Sequence, residues 1–206
     1  MLFSFVAKTT TALLLLSAVL IPATAAEYQE GQDYITVTGI PETTKPVVRE
    51  FFSYNCPHCY HQDPVIEKTA QLLKGKVTLA RTPVGAHRPA WVLSQEVYYL
   101  AQKFKIVNQV HSKIFARIHE QHQPFTTEAD LETFFVSQGI DKTLLEKTIG
   151  SADAKLAMEN YEAQTQLAQV RGVPSLLVNG KYLIKANVSD AEALSELILF
   201  LAKKPD

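Results

Sequence analysis

Strand signals crowd the two ends of this chain and helical signals fill its middle, and that partition constrains the fold more than any single motif. Ile35 to Thr38 alternate with β-branched content and predict a short strand. Gly39, Pro41 and Pro46 punctuate the next connection. Val47 to Tyr54 then form a dense apolar run, interrupted by Arg49 and Glu50, which suits a strand buried on both faces of a parallel or mixed sheet. Asn55-Cys56-Pro57 ends that strand and opens a helix with proline at its first position. Val65, Ile66, Ala70 and Leu73 fall at helical spacing, Gly75 closes the helix, and Val77 to Thr82 read as a second inner strand.

From Trp91 to about Val170 the pattern is almost wholly helical. Val97, Leu100, Ala101 and Phe104 make one apolar stripe, and Val110, Ile114, Phe115 and Ile118 make another. Thr126 or Thr127 caps a further helix, Gly139 and Gly150 end two more, and a longer helix is predicted from Ser151 to Gln169. Gly172-Val173-Pro174 breaks this block. Ser175 to Val178 and Tyr182 to Ile184 read as strands joined by an Asn179-Gly180 turn, a pair that tolerates the positive φ angles of a tight hairpin. Asp190 to Ala202 make a last amphipathic helix. The order is β-β-α-β, a helical block, then β-β-α: an α/β fold with an inserted all-helical domain.

The N-terminus carries one charge, Lys8, ahead of an apolar run from Ala12 to Ile21, a breaking Pro22 and the small residues Ala23-Thr24-Ala25. This is the pattern of a signal peptide, expected to span residues 1–25 and to be cleaved after Ala25. The run falls short of the roughly 20 residues that a spanning helix needs. The mature chain is then exported, into a compartment where disulfides persist. Loss of Lys8 takes the net charge from −1 to −2, so no overall basic field exists to hold nucleic acid.

The chain has two cysteines, and both lie in Cys56-Pro57-His58-Cys59 at the strand-to-helix junction. The first thiol sits at the helix N-cap, where unpaired backbone N–H groups and the positive end of the helix dipole favour thiolate. His58 adds a donor or a positive charge. A cysteine with a lowered pKa is a good leaving group, so the pair reads as a redox-active disulfide. Three other readings attach to the same residues. A structural zinc site would need two more ligands, with His58 and His61 nearest at hand. Covalent haem attachment would need histidine where Tyr60 stands. An inert structural disulfide would gain little from so short a loop.

The segment Glu50 to Tyr60, with its Cys-Pro-His-Cys core, resembles the active-site segment of the DsbA family of periplasmic thiol oxidases, within the thioredoxin superfamily. Arg171-Gly172-Val173-Pro174, followed by Val178 to Tyr182, resembles the segment that carries the family's cis-proline. The resemblance implies a thioredoxin-like fold in two parts, residues 26–86 and 171–206, around an inserted helical domain, 87–170. It implies that Cys56 is the exposed attacking and acceptor sulfur and Cys59 the more buried resolving partner. His58 then stabilises the Cys56 thiolate, and Val173 and Pro174 form a cis peptide facing the disulfide and pairing with substrate. Glu50 is the buried acid that moves protons to or from Cys59. Asn55 and Pro64 depart from the best-known member, which leaves room for a specialised paralogue. His61, His87, His111, His119 and His122 match no family role, and a solvated surface is expected for each.

The function implied is a periplasmic oxidoreductase that donates its Cys56–Cys59 disulfide to unfolded exported proteins. Its redox centre is the cysteine pair, with no other cofactor and no metal. Its membrane partner is a quinone-linked protein of the DsbB kind, and it is a monomer. A disulfide reductase or isomerase is the alternative within the enzymes, although such relatives usually add a dimerisation domain for which this chain has little room. The alternative from another class is a non-catalytic module: a metal chaperone, or a peptide holdase using the groove between the two domains.

Overall fold

The computed structural model describes residues 28–185 and 189–205. The expected signal peptide, residues 1–25, lies outside them. The strands are β1 (Tyr34–Thr36), β2 (Val47–Phe52), β3 (Thr78–Pro83), β4 (Ser175–Val178) and β5 (Tyr182–Ile184). The helices are α1 (Pro57–Leu73), α2 (Pro89–Lys103), α3 (Val107–His119), α4 (Glu128–Ser137), α5 (Lys142–Thr148), α6 (Ala152–Leu167) and α7 (Ala191–Ala202).

The strands form one sheet in the order β1-β5-β4-β2-β3. β2 and β3 run parallel, with Val47 opposite Thr78, and the other pairs are antiparallel. Asn179 and Gly180 both take positive φ, 51° and 71°, in the β4–β5 turn. Helices α2 to α6 all lie between β3 and β4 in the chain. This is an α/β thioredoxin fold with a helical insertion.

β2 feeds three cores: Val48 and Phe52 share one face but lie at opposite ends of it, and Phe51 points to the other face. Val48 packs with Ile66, Leu73 and the apolar face of α7. Phe52, and Tyr54 just beyond the strand, reach instead into the helices of the insertion, among Val97, Leu100, Ile114 and Phe115. Phe51 joins a third cluster with Val84, Ala168 and Leu177. Phe51, Phe52 and Tyr54 are all fully buried, each worth about 2–3 kcal/mol of apolar transfer. The run that ends at the cysteines therefore ties the sheet to the insertion.

Element ends differ from the sequence pattern where local hydrogen bonds intervene. β2 stops at Phe52 rather than Tyr54, because the chain turns there and the Cys56 N–H bonds to Ser53 O at 3.0 Å. α6 stops at Leu167 rather than Gln169, because Gln169 adopts φ 56° and ends the helical ladder. Of the two candidate caps for α4, Thr127 is the one used, in a reciprocal capping box with Asp130.

Candidate active site

Cys56 is the N-cap of α1, with φ −92° and ψ 116°, and Pro57 follows as the first helical residue. Its Sγ accepts the Cys59 N–H at 3.4 Å. Both cysteines are free thiols. The exposed sulfur expected at Cys56 is corrected by the structure: the residue is 4% exposed, against 1% for Cys59. The cause is the Val173–Pro174 segment, which lies over it, with Val173 O 3.5 Å from the Cys56 sulfur. What separates the two sulfurs is access. Cys56 lines a groove of about 540 Å³ that also holds Trp91, Arg171 and Val173. Cys59 turns inward among Phe52, Tyr54 and Phe115.

The two thiols polarise each other in opposite directions. A hydrogen bond from the Cys59 side chain draws the Cys56 thiol down to about 6, against a smaller opposing effect of burial. The backbone N–H groups of Cys59 and His58 add to the lowering, and the charge of the His58 side chain adds least among these causes. Cys59 is held far above the ordinary thiol range by that same hydrogen bond and by burial, with the Glu50 charge contributing. One thiolate and one thiol is therefore the natural state of the reduced pair.

The Val173–Pro174 peptide is cis. Both residues face a second hollow lined by His58, His61, Ile66 and Leu176, so His58 stands between the two openings. Glu50 is 1% exposed and lies 2.8 Å from Arg81, whose other arm reaches Glu67 at 2.5 Å. Burial pushes the Glu50 carboxyl up, with Arg81 opposing. Burial works against the Arg81 charge, but Glu50 and Glu67 outweigh it and hold the guanidinium protonated. The acid behind the cysteines is thus one half of a buried ion pair.

Two histidines expected at a solvated surface are not there. His111 is 5% exposed. Its Nδ1 meets the Tyr54 hydroxyl at 2.8 Å and its Nε2 meets Asp63 at 3.0 Å. His119 is partly buried, stacked on Tyr60, and its Nε2 donates to Tyr54 O at 2.8 Å. Both come from α3, because its apolar stripe also carries them against the strand-to-helix junction. Asn55 adds a third tie, donating to Ala90 O at 2.9 Å. Sequence reasoning missed this clamp on Tyr54. Its one legible trace was Asp63, a carboxylate one turn after Cys59 on the buried face of a helix.

Asp63, Glu67 and His111 place one ligand atom each within 4.8 Å of one another. Asp63 is already paired with His111 and Glu67 with Arg81, so a cation entering there would compete with a guanidinium. Among the described residues no helix is long and apolar enough to cross a membrane.

Comparison with known proteins places this geometry. Residues 82–198 match the family model described as DSBA-like thioredoxin domain. The chain is 31% identical over 160 residues to the thiol:disulfide interchange protein DsbA of Azotobacter vinelandii, covering 76% of this chain and 74% of that one. It is 29% identical over 163 residues to DsbA of Pseudomonas aeruginosa, covering 78% and 77%. The crystal structure of Pseudomonas aeruginosa DsbA superimposes with a TM-score of 0.76 at 28% identity, covering 85% of this chain and 93% of that one.

Proposed function

The chain belongs to the DSBA-like thioredoxin family and is a thiol:disulfide oxidoreductase, and from that premise we propose that it acts as an oxidant whose Cys56–Cys59 disulfide passes to exported proteins. One observation carries the direction: the Cys56 thiol is drawn down to about 6 at a helix N-cap while its partner is pushed up. A substrate thiolate attacks Cys56 Sγ, the Cys56–Cys59 bond breaks, and Cys59 takes the electron pair and a proton. A second substrate thiolate then attacks the substrate sulfur of the mixed disulfide. Cys56 leaves as a thiolate, which its surroundings already favour. Two substrate thiols have become a disulfide, and the enzyme holds the two electrons.

In this reading His58 and the helix N-terminus stabilise the Cys56 thiolate, and Glu50 buffers the proton at Cys59. Val173 and Pro174 offer an edge beside the sulfur along which an extended peptide pairs. The other parts of the reading are residues 1–25 as a cleaved signal peptide, a periplasmic monomer, reoxidation by a DsbB-like quinone-linked membrane protein, and a helical domain spanning 87–170. Redox titration against glutathione, with catalysed oxidation of a reduced unfolded protein, tests the direction. A stronger oxidant than glutathione that turns over supports the proposal. A stronger reductant, or a protein that binds metal or peptide without turnover, overturns it.

A further inference from the structure

The groove that exposes Cys56 carries charges that disulfide exchange does not use. Arg88 is the N-cap residue of α2, and its side chain makes no capping bond. Its guanidinium lies instead over the Trp91 ring, 4.9 Å from the centroid. A stacked guanidinium keeps its N–H edge free for a carboxylate. Arg171 stands exposed on the same groove, two residues before Val173. Among the described residues neither guanidinium has an ion-pair partner.

The one carboxylate among the described groove residues is Glu162, and its Oε1 already accepts the Gln95 amide at 2.9 Å. The remaining ionisable side chains there, besides Cys56, are His58 and His87, so two guanidinium groups face one carboxylate and the groove is left with a positive balance. The turn that presents Arg88 is held closely. Its N–H bonds Gly85 O at 3.0 Å, and a Cβ at Gly85 would meet Gln95 Oε1 at 2.6 Å. A chain of net charge −1 thus concentrates fixed positive charge beside its reactive sulfur.

We infer that this groove is a docking surface for acidic stretches of unfolded polypeptide, with Arg88 and Arg171 engaging carboxylates that flank the cysteine being oxidised. The inference rests on the disulfide-donor reading and adds a substrate class to it. Carboxylates beside a cysteine raise its thiol pKa, so less of it is thiolate and its attack on an ordinary disulfide is slowed. Fixed guanidinium groups reverse that penalty at encounter, in a cleft that focuses their field. The step itself is unchanged: the peptide thiolate bonds to Cys56 Sγ and Cys59 leaves with the electron pair and takes up a proton.

The test uses the oxidised protein and single-cysteine heptapeptides whose cysteine is flanked by Asp, Asn or Lys. Rates of mixed-disulfide formation at low ionic strength are each divided by the rate against uncharged hydroxyethyl disulfide. The acidic peptide should show a corrected rate about tenfold above the Asn peptide, with the Lys peptide below both. Salt at ~0.5 M should collapse the spread. Arg88→Gln should shrink it, Arg88→Glu should invert it, and Arg171→Gln should act in the same sense as Arg88→Gln. The salt series needs no variant, so a misfolded mutant does not decide the matter. Equal corrected rates for all three peptides, or a preference for Lys, would overturn the acidic-substrate inference and leave the oxidant reading standing. Failure of every peptide to react would overturn both.

Discussion

Around Cys56 the sheet-based part of the chain contributes the Cys59 thiol and backbone groups, whereas the helices between β3 and β4 contribute side chains from a distance in sequence. The N-terminus of α1 supplies N–H groups to the sulfur, and the segment before β4 supplies the Val173 carbonyl. From the insertion come His111 and His119 on Tyr54, and Arg88 and Trp91 on the groove wall. The Cys59 thiol and, after it, the backbone donors of α1 set how reactive the sulfur is. Side chains from the insertion set how rigidly its turn is held and what reaches it. The two contributions are separable by mutation.

The largest effect should come from the activated sulfur itself. Cys56→Ser should abolish disulfide transfer to a reduced substrate. Cys59→Ser, which cannot form the internal disulfide, should also fail to oxidise a reduced substrate; offered a disulfide-bonded substrate, its Cys56 thiolate should displace one substrate thiolate and hold a mixed disulfide, detectable on a non-reducing gel. Transfer that survives in Cys56→Ser would place the reactive atom elsewhere.

Next comes the clamp from the insertion. His111→Ala removes the partner of both the Tyr54 hydroxyl and the Asp63 carboxylate inside the core. Leaving buried polar groups unpaired should cost about 2–4 kcal/mol in denaturant melts. Tyr54→Phe, which removes one hydrogen bond and keeps the ring, should cost about 1 kcal/mol. If His111→Ala costs no more than Tyr54→Phe, the insertion merely covers the site and the contrast between the two regions fails.

The thiolate links pH to stability in the reduced form. The folded Cys56 pKa, about 6, lies below the roughly 8.5 of an unfolded thiol. Its stabilisation is therefore fully present above the unfolded value and lost as pH falls through 6. Between pH 5 and 7 the reduced protein should gain about 1 kcal/mol relative to the oxidised one, after allowance for solvent screening. Paired melts across that range measure it, and parallel curves would show that the thiolate is not specially stabilised.

The smallest effect should be that of His58, an exposed side chain whose charge adds less than the backbone N–H groups. His58→Ser should make the protein less oxidising by less than ~30 mV, which is about 1.4 kcal/mol for a two-electron couple. A larger drop in potential would move the control of reactivity from the Cys59 thiol and the helix end to the His58 side chain.

Much of the chemistry was legible before any coordinates, because it is local. Cysteine at an N-cap, proline at the first helical position and a partner one turn on are relations between neighbours, and sequence spacing reports them directly. The same holds for the Asn179-Gly180 turn and for the break in helical pattern at Gly172-Val173-Pro174, since each depends on a few consecutive dihedrals. The near burial of Cys56 was not legible. It arises because Val173, distant in the chain, is brought over the sulfur by the antiparallel pairing of β4 with β2.

The histidines show the same limit. His111 and His61 are alike as letters, and each is followed by a polar residue, Ser112 and Gln62. Only the packing of α3 against Tyr54 makes one a buried hydrogen-bonding partner and leaves the other exposed. Local dihedral preferences and helix-end electrostatics follow from adjacent residues and can be read along the chain. Burial, ion pairing and the charge of a groove depend on which distant segments the core draws together, and the tertiary structure alone decides that.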